Sequence, residues 1–211
     1  MTLPVLYAIV DYQAAVENGW EVCDLAREYL AGGARLVQVR APNVASRDYL
    51  DWCDRVVRDA ADYDAQVIVN DRADIAVMAG AAGVHLGQFD VEPTDVRQRL
   101  SSRLLVGLSV HTPKQLEESV NAPLDYVAVG PIYDTSTKNT GYEVVGTKLV
   151  TRASEMSPSR PVVAIGGINL ERAMEVRRAG ATSVAVIADL LEGNRPARRV
   201  SDYVKALEES S

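Results

Sequence analysis

Residues 67–88 read VIVNDRADIAVMAGAAGVHLGQ, and this stretch decides the fold. It opens on a short apolar run, Val67–Val69, and closes on another, Val84–Leu86. Between them come the polar group Asn70-Asp71-Arg72 and the joint Ala79-Gly80-Ala81-Ala82-Gly83, where glycine ends a helix and a strand begins at once. Both apolar runs are too short for helices and too continuously apolar for half-exposed strands. Strands read this way when both faces are covered, as in a parallel sheet whose crossovers are helices.

The same unit recurs along the chain. Further apolar runs are Val5–Val10, Leu36–Val39, Leu104–Leu108, Tyr126–Val129, Val162–Ile165 and Val184–Ile187. The joints Ala31-Gly32-Gly33-Ala34 and Ala179-Gly180-Ala181 repeat the helix-to-strand turn. Helical periodicity fills the gaps: Val22, Leu25, Ala26, Tyr29 and Leu30 share a face of Glu21–Leu30, and Tyr49, Cys53, Val56, Val57 and Ala60 share one of Ser46–Ala60. Thr112-Pro113-Lys114-Gln115 has the form of a capping box. Asn169 caps a helix over Leu170–Ala179, which Gly180 ends. Eight such units in 211 residues predict the α/β class and a single (βα)8 TIM barrel, in preference to a doubly wound sheet. With no linker or shift in composition, residues 1–211 are expected to form one domain.

Composition narrows the function. The chain has 22 Lys+Arg against 29 Asp+Glu, a formal net charge of −7, and 47% hydrophobic residues. That apolar content excludes disorder for the bulk of the chain. The acidic balance excludes nucleic acid as the main partner, since phosphate-backbone binding needs a basic face. Cys23 and Cys53 are too few for a disulfide framework and fall on apolar helix faces. The start lacks a signal-peptide pattern, and no apolar run approaches the roughly 20 residues that span a bilayer. The expectation is a cytoplasmic protein with no membrane partner.

In a (βα)8 barrel the chemistry sits at the C-terminal strand ends. The residues after each run are Asp11; Gln38 and Arg40; Asn70, Asp71 and Arg72; Gly87, Gln88 and Asp90; Ser109 and His111; Gly130–Lys138; Gly166-Gly167; and Ile187-Ala188-Asp189. Asp71 and Asp90 follow neighbouring strands and could hold Mg²⁺ through oxygen ligands; from spacing alone, helix N-cap or loop aspartates are the stronger reading. Arg40, Lys138 and Arg72 could bind a diphosphate, or pair with the many surface acids. Gly166-Gly167 lets backbone N–H groups approach an anion, or meets a turn's need for positive φ. His85 lies inside a strand and reads as packed; His111 could reach the site or serve as a hydrogen-bonded structural group.

Seven runs together resemble the thiamine phosphate synthase family: Leu6–Asp11, Val37–Arg40, Val69–Arg72, Gly83–Gln88, Gly107–His111, Gly130–Tyr133 with Thr135–Lys138, and Ala164–Ile168. The resemblance implies an enzyme that joins an aminopyrimidine methyl diphosphate to a thiazole phosphate, giving thiamine phosphate and diphosphate. It implies that Gln38, Arg40 and Asn70 bind the pyrimidine diphosphate and that Asp71 and Asp90 hold Mg²⁺. Ser109 and Lys138 would contact the diphosphate or its developing charge, with Arg40 beside them as catalytic groups. Thr135, Thr137, Gly167 and the Ile187-Ala188 backbone would hold the thiazole phosphate. A homo-oligomer is compatible with barrels of this type.

Two positions depart from the family pattern. Pro42, in the diphosphate segment, stands where members commonly carry a lysine, so Arg72 or a mobile side chain would have to supply that cation. Ala188 stands where a serine is usual, which keeps backbone contacts and removes a hydroxyl. Two other readings remain: a thiazole tautomerase on the same barrel, using His111 as acid or base, and a barrel that binds a thiamine precursor without turnover.

Overall fold

The alternation in 67–88 forms the βαβ unit it predicts. A computed structural model describes residues 2–135 and 141–209. The strands are β1 (Leu6–Asp11), β2 (Leu36–Arg40), β3 (Gln66–Asn70), β4 (Gly83–Leu86), β5 (Leu105–Val110), β6 (Tyr126–Val129), β7 (Val162–Ile165) and β8 (Ser183–Val186). They pair in chain order, all parallel, and β1 pairs with β8 to close the barrel. Around it run α1 (Tyr12–Glu17), α2 (Val22–Ala31), α3 (Ser46–Ala61), α4 (Ala73–Met78), α5 (Pro93–Asp95) continued by a π turn at Val96–Leu100, α6 (Pro113–Ser119), α7 (Gly146–Met156), α8 (Leu170–Arg178), a 3-10 segment at Ala188–Asn194, and α9 (Pro196–Glu209).

Strand periodicity of two sorts every strand into two roles. Ala8, Val10, Val37, Val39, Val67, Val69, Val84 and Val106 face outward into one core shared with the helices. Burying each valine or larger side chain there contributes roughly 1.5–3 kcal/mol. The opposite parity points into the barrel, where Leu3, Tyr7, Ile9, Leu36, Ile68, Tyr126, Ala128, Val163 and Ala185 make a second, smaller core. Gln38, Asn70, His85 and Ser109 share that inward parity, and all four are buried. Asp11, Arg40, Asn70 and Ser109 therefore belong to the strands rather than to the loops after them.

Caps fix where the helices start. Asp11 accepts from Ala14 N–H at 3.0 Å and so ends β1 and begins α1 with one side chain. Asn169 accepts from Arg172 N–H at 2.9 Å, as its position predicts. The box at Thr112 closes only halfway. Thr112 accepts from Gln115 N–H at 3.2 Å, but the Gln115 side chain accepts from His111 N–H at 2.8 Å, one residue before the cap. Cys23 and Cys53 are buried as expected, and burial pushes the Cys53 thiol up to about 12, which keeps it protonated.

Candidate functional site

A cavity of about 790 Å³ opens at the C-terminal end of the barrel. That volume suits small-molecule ligands. Its walls come from separate strand ends: Gln38 and Arg40 from β2, Asn70 and Asp71 from β3, Ser109 from β5 with His111 beyond it, Gly166-Gly167 after β7, and Ile187-Ala188 after β8. Thr135 also lines it. Ile9, Ala128, Val163 and Ala185 give the cavity an apolar floor.

Several wall groups are held before any ligand arrives. Arg40 forms an ion pair with Asp11, which is buried, so one carboxylate both caps α1 and orients the guanidinium. The Tyr49 hydroxyl, from α3, accepts from Asn70 N–H at 3.1 Å and donates to the Val39 carbonyl at 2.8 Å, pinning the ends of β2 and β3. Asp71 adopts a left-handed backbone (φ 62) while its N–H donates to the His85 carbonyl at 2.8 Å. Residues held in that region other than glycine cluster at functional sites.

The remaining sequence candidates separate. Asp90 follows β4 but turns back on its own loop: its Oδ2 accepts from Gly87 N–H at 2.6 Å, and Asp90 does not line the cavity. Among the described residues, no three His, Cys, Asp or Glu side chains gather as a metal cluster. Of the two aspartates, Asp71 lines the cavity, and a single carboxylate suffices for Mg²⁺, which takes one or two and completes its shell with waters and substrate phosphate oxygens. Arg72 does not line the cavity. Asp74 holds it at 2.8 and 2.6 Å and Ser46 at 2.9 Å, away from the cavity, and this pairing holds the Asp74 carboxyl below its usual range. Pro42 is exposed and outside the cavity wall. Thr137 and Lys138 lie outside the described residues.

The rim after β7 and β8 is braced from the helices. Gly166 (φ 104) and Gly167 (φ 61) lie in the left-handed half of backbone space. A Cβ on Gly166 would meet Pro131 Cα at 2.7 Å, and one on Gly167 would meet the Asp134 carbonyl oxygen at 2.3 Å. The room that glycine provides is thus taken first by the protein's own β6 loop. Arg172 of α8 donates to the Gly167 carbonyl at 2.7 Å and lies 4.5 Å over the Tyr133 ring. Beyond β8, Asp189 accepts from Arg199 at 2.7 Å and from Tyr203 at 2.5 Å, tying the Ile187–Asp189 backbone to α9.

Sequence reasoning did not find the polar chain inside the barrel. Gln38 Nε2 donates to the Tyr7 hydroxyl (2.7 Å), which meets the Tyr126 hydroxyl (3.0 Å). Tyr126 meets His85 Nδ1 (3.1 Å), and His85 Nε2 meets Ser109 Oγ (2.9 Å). A tyrosine in an apolar run reads as filler. The signal available was inward parity, which puts a phenol or imidazole among other polar groups. His111 is bonded as its structural reading expects: Nδ1 lies 2.6 Å from the Gly130 carbonyl and its ring stacks on Tyr142 at 4.2 Å.

Known proteins share this architecture. Residues 6–190 match the family described as thiamine monophosphate synthase. A thiamine-phosphate synthase of Koribacter versatilis is 40% identical over 209 residues, covering 98% of this chain and 97% of its own. One from Thermus thermophilus is 36% identical over 183 residues, 85% of this chain and 87% of its own. The solved structure of a thiamine phosphate pyrophosphorylase from Pyrococcus furiosus superposes with a TM-score of 0.87 at 29% identity, covering 97% of this chain and 96% of that one. The chain belongs to the thiamine monophosphate synthase family.

Proposed function

We propose that this family member joins 4-amino-2-methyl-5-(diphosphooxymethyl)pyrimidine to a thiazole phosphate inside the cavity, releasing thiamine phosphate and diphosphate. It is a transferase of thiamine biosynthesis. One observation carries the site assignment: Gln38, Arg40, Asn70, Asp71, Ser109, Thr135, Gly167, Ile187 and Ala188, drawn from distant parts of the chain, line a single cavity.

The chemistry asks for little acid or base. The pyrimidine-methyl C–O bond breaks first, the electron pair leaves with the diphosphate, and the pyrimidine ring stabilises the carbocation. The thiazole nitrogen then supplies the pair for the new C–N bond. The enzyme's task is to stabilise charge on the leaving group and to hold two reactants in line. Arg40, oriented by Asp11, supplies a fixed positive group to the diphosphate. Gln38 and Asn70 hold the pyrimidine side, with Asn70 kept in register by Tyr49. Ser109 contacts the diphosphate, and Lys138 is assigned the same role. Thr135, Thr137, Gly167 and the Ile187-Ala188 backbone take the thiazole phosphate. Asp71 and Asp90 would hold Mg²⁺, and bound there the ion adds positive charge at the departing diphosphate. The apolar floor keeps water from the carbocation. Pro42 contributes no charge, so the diphosphate is held with one cation fewer than the family pattern provides.

Residues 1–211 act as one catalytic unit in this reading, in the cytoplasm. No helix among the described residues is long and apolar enough to cross a membrane. The test is incubation with saturating amounts of both substrates and Mg²⁺, followed chromatographically. Thiamine phosphate and diphosphate should appear in equal amounts. Their absence would sink the assignment.

A further inference from the structure

The buried chain from Gln38 to Ser109 has one direction in which each phenol and imidazole hydrogen within it meets an acceptor. The Gln38 amide nitrogen can only donate, so the Tyr7 oxygen accepts. In that direction Tyr7 gives its own hydrogen to the Tyr126 oxygen at 3.0 Å, and Tyr126 gives its hydrogen to His85 Nδ1 at 3.1 Å. A neutral imidazole carries a single N–H. With Nδ1 accepting, that hydrogen sits on Nε2 and is donated to Ser109 Oγ at 2.9 Å. The Ser109 hydrogen is left to point elsewhere, and Ser109 lines the cavity. The reverse direction would use the Ser109 hydrogen on His85 and turn only oxygen lone pairs toward an anion.

We propose that Tyr7 and Tyr126 are positioning residues that fix the His85 tautomer and so present Ser109 as a hydrogen-bond donor to the departing diphosphate. This rests on the reaction assigned above. The local sequence is shaped for the chain. In register, His85 of β4 lies beside Gly107 of β5, which lies beside Tyr126 of β6. A Cβ on Gly107 would come within 2.0 Å of the Tyr126 ring, so glycine on the intervening strand lets that ring reach His85, with the rings stacked at 5.6 Å. Both phenols are fully buried, and burial raises their pKa values well above the ordinary one, so each remains an O–H donor.

The test is nitrogen NMR of the chain labelled at histidine, which has only two such residues. His111 should carry its hydrogen on Nδ1, because the Gly130 carbonyl can only accept, and His85 should carry its hydrogen on Nε2. In Tyr126→Phe the His85 signal should become a mixture of tautomers. Its kcat should fall about ten- to a hundredfold, with KM for the thiazole phosphate within about twofold. Tyr7→Phe breaks the same chain one link earlier and should behave alike if Tyr126→Phe does not fold. Tyr29→Phe removes a buried hydroxyl that has no hydrogen-bond partner among the described residues, and should leave both readouts unchanged. An Nδ1–H tautomer of His85 in the parent protein, or a folded Tyr126→Phe with parental kcat, overturns the proposal. The tautomer is read without turnover, so a failure of the reaction assignment is told apart from a failure of the chain.

Discussion

At the scale of single residues, Asp71 concentrates the argument. Its left-handed backbone is one that aspartate and asparagine tolerate better than most side chains. Asp71→Asn therefore keeps the turn and removes only the charge. Its kcat/KM should fall by about a hundredfold or more, and the Mg²⁺ concentration for half-maximal rate should rise. His111→Ala loses the bond to Gly130 and the stack on Tyr142, and should cost less than about tenfold, as expected for a group outside the chemistry. The opposite order of the two kcat/KM values would point to His111 as the reacting group. Residues of this kind were legible to different degrees. Asp71 and Ser109 stood out because they end apolar runs. Tyr7 did not, because its hydroxyl partner lies 119 residues away on a strand that only closure brings opposite. Arg72 looked like a spare cation; here Asp74, two residues on, pairs with it in a two-pronged contact that its sequence neighbours alone do not reveal.

Among the elements, the turn from β7 to α8 couples packing to binding most directly. Gly167→Ala would drive a methyl group into the Asp134 carbonyl and strain a left-handed residue. It should destabilise the protein by about 1–3 kcal/mol in urea unfolding and raise KM for the thiazole phosphate more than KM for the pyrimidine diphosphate. Asn169→Ala removes the cap of α8 alone and should cost about 1 kcal/mol, with smaller changes in either KM. Equal shifts in both KM values for Gly167→Ala would count against a thiazole-phosphate role for this turn. The glycine pair was visible in the sequence, but its first use was not. An anion and a neighbouring loop ask for the same absent side chain, and only the position of Pro131 and Asp134 tells them apart. Strand length was underestimated for a related reason: polar Asn70 and Ser109 end the apolar pattern while the ladder continues, because their inward parity meets a cavity and not a helix.

For the whole molecule, the barrel was legible because one pattern recurs eight times, and nearly all outward positions obey it. The interior obeys no such pattern, since it mixes filler with function. One consequence is a dependence of stability on alkaline pH. Burial raises the pKa values of Tyr7, Tyr29, Tyr49, Tyr126 and Tyr203 in the folded state. Unfolded tyrosines ionise near 10, while these stay protonated. Their contribution is therefore complete below that value and lost progressively as pH rises from it toward the raised folded-state values. The urea midpoint should hold level between about pH 8 and 9 and drop steeply by about pH 11; a level midpoint throughout would contradict the burial of these phenols. The clasp of Asp189 by Arg199 and Tyr203 has a different consequence, one of timing during synthesis. A nascent chain that has emerged from the ribosome only as far as β8 already carries every side chain assigned to the diphosphate. It lacks the helix that fixes the last stretch of rim, so catalytic competence should arrive late and abruptly, once α9 is translated and docks.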